Sequence, residues 1–176
     1  MITPAYARTM MRYNRWQNHA CVAAAGDLSD AERWQDRGAF FGSIAETLNH
    51  ILWDDRVWLA RLHADHATAA EIAARHPYTE SPRAWEAFTQ ARTKLDDDLV
   101  AWADSLSTTD LACAVTWDRG GTRVETTFAF NFVHMVNHQT HHRGQVHAML
   151  TAAGIDPGPT DLQMLPVLGD LPPEQS

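Results

Sequence analysis

Four stretches of the chain carry apolar residues at helical spacing, and each is bounded by residues that start or stop a helix, which leaves little room for a sheet-based fold. Thr3 is a good N-cap with Pro4 at the first helical position. A first helix therefore runs to Gly26, a residue suited to a left-handed C-terminal cap, with Tyr6, Met10, Tyr13 and Trp16 at helical spacing. Ser29 and Glu32 stand in capping-box spacing and predict a short helical turn within 28–41. Ser43 and Glu46 repeat that box before an apolar run to about Leu62 that holds Leu48, His50, Leu52, Trp53, Trp58 and Leu59. Residues 63–80 read as loop with a short helix around 69–74. Ser81 and Pro82 then open a third helix to about Ser105, with Trp85, Phe88, Leu95, Leu99 and Trp102 on a repeating face. Thr126 or Thr127 caps a fourth helix, about Phe128 to Ala153, closed by Gly154.

Between the third and fourth helices, Val115 to Trp117 and Arg123 to Glu125 flank Asp118-Arg119-Gly120-Gly121, which reads as a small β-hairpin around a glycine turn. After the fourth helix, Pro157, Pro159, Pro166, Pro172 and Pro173 forbid another helix, and the apolar stretch Leu162 to Leu168 is expected to lie on the body of the protein. The expected architecture is all-α, a four-helix bundle with a small β-hairpin before the last long helix. It forms one domain over 1–170 with a flexible tail at 171–176.

At 176 residues a core forms without disulfide or metal staples, so any metal is expected to be functional rather than structural. The net charge of -8, with 14 scattered basic residues, opposes a phosphate backbone and argues against nucleic-acid binding. No apolar run reaches the roughly 18 residues of a membrane span, and the N-terminus lacks a signal-peptide pattern, so a cytoplasmic protein without a membrane partner is expected. Cys21 and Cys113 form no metal-type pair and read as reduced packing residues.

Ten histidines are present, and the fourth helix gathers His134, His138, His141, His142 and His147. At about 100° per residue, His141, Gln145, His138 and His142 fall within a quadrant or so of His134, so imidazoles line one side of that helix. Histidines at i and i+4 share a stripe and can hold one divalent ion between them. Two overlapping pairs qualify, His134 with His138 and His138 with His142. A third ligand has to come from another helix, and His50, set among apolar residues of the second helix, is the candidate. His19, His63, His66, His76 and His147 are assigned to surface or loops.

His138 and His142 also fit the spacing of helical zinc proteases, but Gln139 stands where those enzymes need a glutamate base. Glu46 is explained by its capping box. Asp54, one turn from His50, either orients an imidazole or acts on a bound water, or else is simply an exposed carboxylate. Asp55 faces the apolar side and suggests a buried partner for an Arg or Asn of the first helix. Gly144 costs about 1 kcal/mol inside a helix, for which close packing against another helix is the usual reason.

Three segments together resemble the DinB superfamily of damage-inducible, YfiT-like metalloenzymes: Tyr13 to Asn18, Leu48 to Leu59 and Asn137 to Gln145, in the family's order. The resemblance implies an up-down-down-up bundle with a long crossover and a metal site near one end. The family's three-histidine set maps onto His50, His138 and His142, leaving His134 as a neighbour. It further implies a homodimer and, in some branches, a low-molecular-weight thiol as cosubstrate. The leading functional expectation is an enzyme that activates water or such a thiol on one divalent ion, zinc or nickel, acting as a thiol S-transferase or hydrolase on a small-molecule substrate. Asp54 or His141 would shuttle the proton. The competing expectation is a noncatalytic metal-binding or stress-response protein.

Overall fold

The computed structural model describes residues 1–63, 65–75 and 84–165. Seven α-helices occur among them: α1 (Pro4–Gly26), α2 (Asp30–Trp34), α3 (Ile44–Leu62), α4 (His66–Ala73), α5 (Trp85–Ser105), α6 (Thr108–Ala112) and α7 (Phe128–Ala152). Strands β1 (Ala114–Arg119) and β2 (Thr122–Thr127) form an antiparallel hairpin just ahead of α7. The expected Ser81–Pro82 helix start and the tail at 171–176 lie outside the described residues, as does His76.

The caps expected from sequence close the helices. The side chain of Thr3 accepts from the Tyr6 N–H, that of Ser43 from Glu46 and that of Thr127 from Phe130, while Ser29 and Glu32 form the full reciprocal box. Thr126 instead exchanges hydrogen bonds with Asn131. Gly154 takes the left-handed conformation that ends α7, with φ 81°. Gly26 does not: it stays helical, and Asp27 caps α1 in a right-handed conformation. The hairpin turns on Gly120 and Gly121, both at positive φ (60° and 87°), the primed turn that matches the twist of a two-residue hairpin.

The long helices α1, α3, α5 and α7 close into a ring of neighbours, α1 on α5, α5 on α3, α3 on α7 and α7 on α1. Side-chain partners give the directions. Arg12 meets Asp104 and Asn18 meets Asp96, so α1 and α5 are antiparallel. Asp55 meets Arg92 and His63 stacks near Trp102, so α3 and α5 are parallel. His50 meets His142 and Trp58 meets His134, so α3 and α7 are antiparallel. The order is up-down-down-up, and the parallel α3–α5 pair requires the crossover that contains α4. Phe132, Met11, Ile44, Leu52, Leu99, Met135 and Leu150 fill the interior with almost no exposure.

Several expected placements change. The inward stripe of α1 is Ala7, Met11, Asn14, Asn18, Cys21 and Ala25, one residue on from the Tyr6, Met10, Tyr13 and Trp16 stripe, and Tyr6 is exposed. The cause is polar: Asn14 and Asn18 turn inward to partners on α5 and α7. Cys21 is a buried free thiol as expected, but Cys113, at the mouth of the hairpin, is exposed and packs into no core. Gly144 packs against no neighbouring helix, since a Cβ built there would meet nothing within 4 Å. Leu165 is fully buried, while Leu162 and Met164 of the preceding 3-10 turn remain exposed.

Candidate metal centre

The antiparallel register of α3 on α7 sets His50 opposite the turn of α7 that carries His138 and His142. His50 Nε2 lies 3.1 Å from His138 Nε2, which lies 3.1 Å from His142 Nε2. The three residues together offer nitrogens that all fall within 4.8 Å of one another. Tetrahedral zinc–imidazole bonds of about 2.0 to 2.1 Å place adjacent nitrogens roughly 3.3 Å apart, so the spacing suits a shared divalent ion. His50 and His142 are buried, and His138 is half-buried.

The charge state of the rings suits the same role. Burial, reinforced by the neighbouring imidazoles, pushes the pKa of His50 down to about 4 and that of His138 down to about 3. Burial also lowers that of His142, against the opposing effect of Gln145. Neutral rings keep a lone pair for a cation. The Nδ1 of His142 lies 2.8 Å from Gln145 Oε1, and the Nδ1 of His138 lies 3.0 Å from Asp54 Oδ2. The Nδ1–H that His142 donates to Gln145 leaves its Nε2 as the lone-pair atom facing the centre, whereas His138 and Asp54 lie close without forming a hydrogen bond.

Asp54 is 9% exposed, which removes the reading of it as a surface carboxylate. Burial and then the adjacent Asp55 push its pKa up to about 8. His141 stands exposed on the outer side of α7, its ring 4.8 Å from that of His142. His134 is not gathered with the trio. It stacks edge-on to Trp58 at 5.0 Å, with its ring centroid 5.9 Å from His138. Glu46 remains with its cap, its carboxylate accepting from the Ser43 hydroxyl. His19 and His63 are exposed and distant in sequence from the trio, as expected of surface histidines.

Asp55 points the other way, into the bundle. Its partner is not on α1 but is Arg92 of α5, at 2.6 Å, together with the Gln139 amide of α7. Gln139 accepts from Arg143 at 2.5 Å, Arg143 donates to Asn14 and Asn18 of α1, Asn18 donates to Asp96, and Asp96 accepts from Arg92. A closed polar ring therefore ties all four long helices together beside the histidines. Gln139, at the position of a protease's general base, is fully buried in this ring.

Over residues 1–169 the chain matches the model of the DinB family. The chain belongs to the DinB family. Protein DinB of Bacillus subtilis (strain 168) is 24% identical over 158 residues, an alignment that covers 89% of this chain and 91% of that protein. This DinB chain has no helix, among the described residues, long and apolar enough to cross a membrane.

Two features of this DinB site escape a reading of spacing alone. Phe41 lies against His50 at 4.0 Å between ring centroids and near His142 at 5.3 Å, closing one side of the trio. It sits in a tight turn in which Gly42, at φ 79°, could not carry a side chain without meeting Glu46. Only the glycine before the Ser43 cap hints at that turn. On the other side, α3, the hairpin and α7 enclose a cleft of about 450 Å³ that reaches the site at Asp54 and His138. Its walls come from three separate elements, so no local pattern announces it.

Proposed function

We propose that this DinB-family protein is a metal-dependent enzyme that binds one divalent ion, zinc or nickel, at His50, His138 and His142 and acts on a small molecule in the adjoining cleft. The observation that carries the reading is the convergence of three neutral imidazole nitrogens at 3.1 Å spacings from two helices, beside an open cleft that His138 lines. An ion held there would supply Lewis acidity, easing deprotonation of a water or a low-molecular-weight thiol, which suits a hydrolase or a thiol S-transferase. Asp54 lies 3.0 Å from the Nδ1 of His138 and, with a pKa lifted to about 8, is placed to exchange a proton with a molecule in the cleft near neutral pH. His141, at the exposed edge of the trio, is a second proton carrier in this reading. A homodimer in the cytoplasm is the expected form of the protein.

The test begins with metal content. Untagged protein is expected to carry one divalent ion per chain and to lose it in His50→Ala, His138→Ala and His142→Ala; full stoichiometry in His50→Ala would reject the site. Electrophilic esters, epoxides and unsaturated acids, offered with and without glutathione, mycothiol or bacillithiol, are then expected to give a product that depends on the metal and on all three histidines. A metal-bound protein with no product in any pairing would assign it to noncatalytic metal binding.

A further inference from the structure

The cleft beside the histidines holds an unusual pair of charges for a chain of net charge -8. Arg61 of α3 and Arg119 at the tip of β1 both line it, and among the described residues no carboxylate lies within ion-pairing distance of either. Elsewhere buried arginines are satisfied by fixed partners, Arg92 by Asp55 and Asp96, Arg33 by Asp30, and Arg143 by the amide oxygens of Asn14, Asn18 and Gln139. Arg61 is held in place by two indoles, its guanidinium 4.8 Å from the Trp58 ring and 5.6 Å from the Trp117 ring. Burial opposes the charge on Arg61, Asp54 of the same cleft favours it from beyond ion-pairing distance, and Arg119 opposes it; both arginines oppose protonation of His134 on the same wall. Arg61 is half-buried and Arg119 exposed; two guanidiniums that repel one another are stabilised by an anion between them, and the arginine fork matches an oxyanion in two places at once.

One wall of the cleft is apolar, made by Trp58, Trp117, Val124 and Phe130, while Asp54, Thr126, Asn131, His134 and His138 supply polar groups. Phe130 is 52% exposed on the first turn of α7 although it is a large hydrophobic residue, and it faces the cleft beside Trp117 and Val124. A cleft of about 450 Å³ with an apolar wall and a few convergent polar groups falls within the size range of small-ligand sites.

We infer that this cleft is a binding site for a small organic anion, with its oxyanion head on Arg61 and Arg119 and its apolar body against Trp117 and Phe130. Asp54 and His138 line the same cleft, so the bound molecule is delivered to the histidine trio. The assignment deepens the function proposed above and rests on it for the chemistry, but the binding step needs no metal.

Calorimetric titration of metal-free and zinc-loaded protein tests it with three probes of similar size: 3-phenylpropionate, phenylphosphonate and the neutral 3-phenylpropionamide. Both anions are expected to bind metal-free protein about tenfold or more tightly than the amide, and Arg61→Gln and Arg119→Gln are each expected to remove that preference. Because Arg61 also stacks on two indoles, Arg119→Gln on the exposed hairpin is the variant that keeps the test valid if the first perturbs folding. Equal affinity for the amide, or unchanged anion affinity in Arg119→Gln, would overturn the inference. So would anion binding seen only with zinc present, which would mean direct ligation of the ion. Zinc uptake, read separately by metal analysis, reports on the histidine site, so the failure of one reading is distinguishable from the failure of the other.

Discussion

Gln145 accepts from His142 at 2.8 Å, and this contact does more than fill space, because it turns the lone pair of Nε2 towards the other two histidines, where a cation would be held. Replacing a group that orients a ligand imidazole costs roughly 10- to 100-fold in metal affinity. Gln145→Leu is therefore expected to weaken zinc binding by about that factor while leaving the melting temperature of the metal-free protein nearly unchanged. Competition against a chromophoric chelator measures the affinity, and an unaltered Kd would show that the ring needs no such support. The preceding residue, Gly144, makes the opposite case. It is exposed and has open space where a Cβ would sit, so packing gives no reason for a glycine there. Gly144→Ala is expected to stabilise the protein by about 0.5 to 1 kcal/mol, as removal of glycine from a helix interior does. Denaturant midpoints would check this, and a loss of stability would mean that α7 needs the glycine for its path.

Helix boundaries were legible because caps are local: Thr3, Ser29, Ser43 and Thr127 each satisfy an N–H three residues on, and a short stretch of sequence contains the whole interaction. Facing is not local. The inward side of α1 is set by Asn14 and Asn18 reaching Arg143 and Asp96, partners more than seventy residues away, and an apolar stripe points to the wrong side. The same reason hid the partner of Asp55. The histidines fall between these cases. The spacing of His138 and His142 could be read within one helix, but it did not separate that pair from His134 with His138; the family resemblance chose the pair, and the register of α3 on α7 gives the physical reason, since it sets that pair against His50. That register is held by the polar ring, in which Asp55 of α3 bonds both Arg92 of α5 and Gln139 of α7. Asp55→Ala leaves the fully buried Arg92 with Asp96 alone and strands the Gln139 amide, and breaking a buried pair in this way costs about 3 to 5 kcal/mol. Urea unfolding is expected to show that loss, with zinc affinity falling as well because the two helices lose their shared anchor. A variant with normal stability would place the register in the apolar core instead.

For the molecule as a whole, the metal-free protein is expected to be a folded species, since the core of Phe132, Met11, Leu99 and Leu150 is complete without the site. Zinc at about one hundred times its Kd would then add roughly 2.7 kcal/mol by mass action rather than create the fold. The pH dependence of the metal-free protein follows from the same buried groups. His50 and His138 ionise at about 4 and about 3 in the folded chain, His142 also below its ordinary value, and all three near 6.5 when unfolded. Between those limits the unfolded chain binds protons that the folded chain refuses, so stability falls as the solution is acidified below about pH 6.5. Asp54 and Asp55 act in the opposite sense, because their folded pKa values are raised to about 8 and about 6. Each folded carboxyl holds its proton where the unfolded one has released it, so each loses stability as pH rises towards its folded value. Above about 6.5 only Asp54 still changes, and there stability declines with rising pH. Below about 6.5 four histidines, His134 among them, outweigh three carboxyls, Asp96 being the third. The melting temperature of metal-free protein is therefore expected to peak near pH 6.5 and to fall on both sides. In Asp54→Asn the alkaline decline should disappear while the acidic one remains. A melting curve that rises steadily towards pH 8 in the unaltered protein would mean that Asp54 is ionised in the folded state, its carboxylate held by the charge of Arg61 in the same cleft.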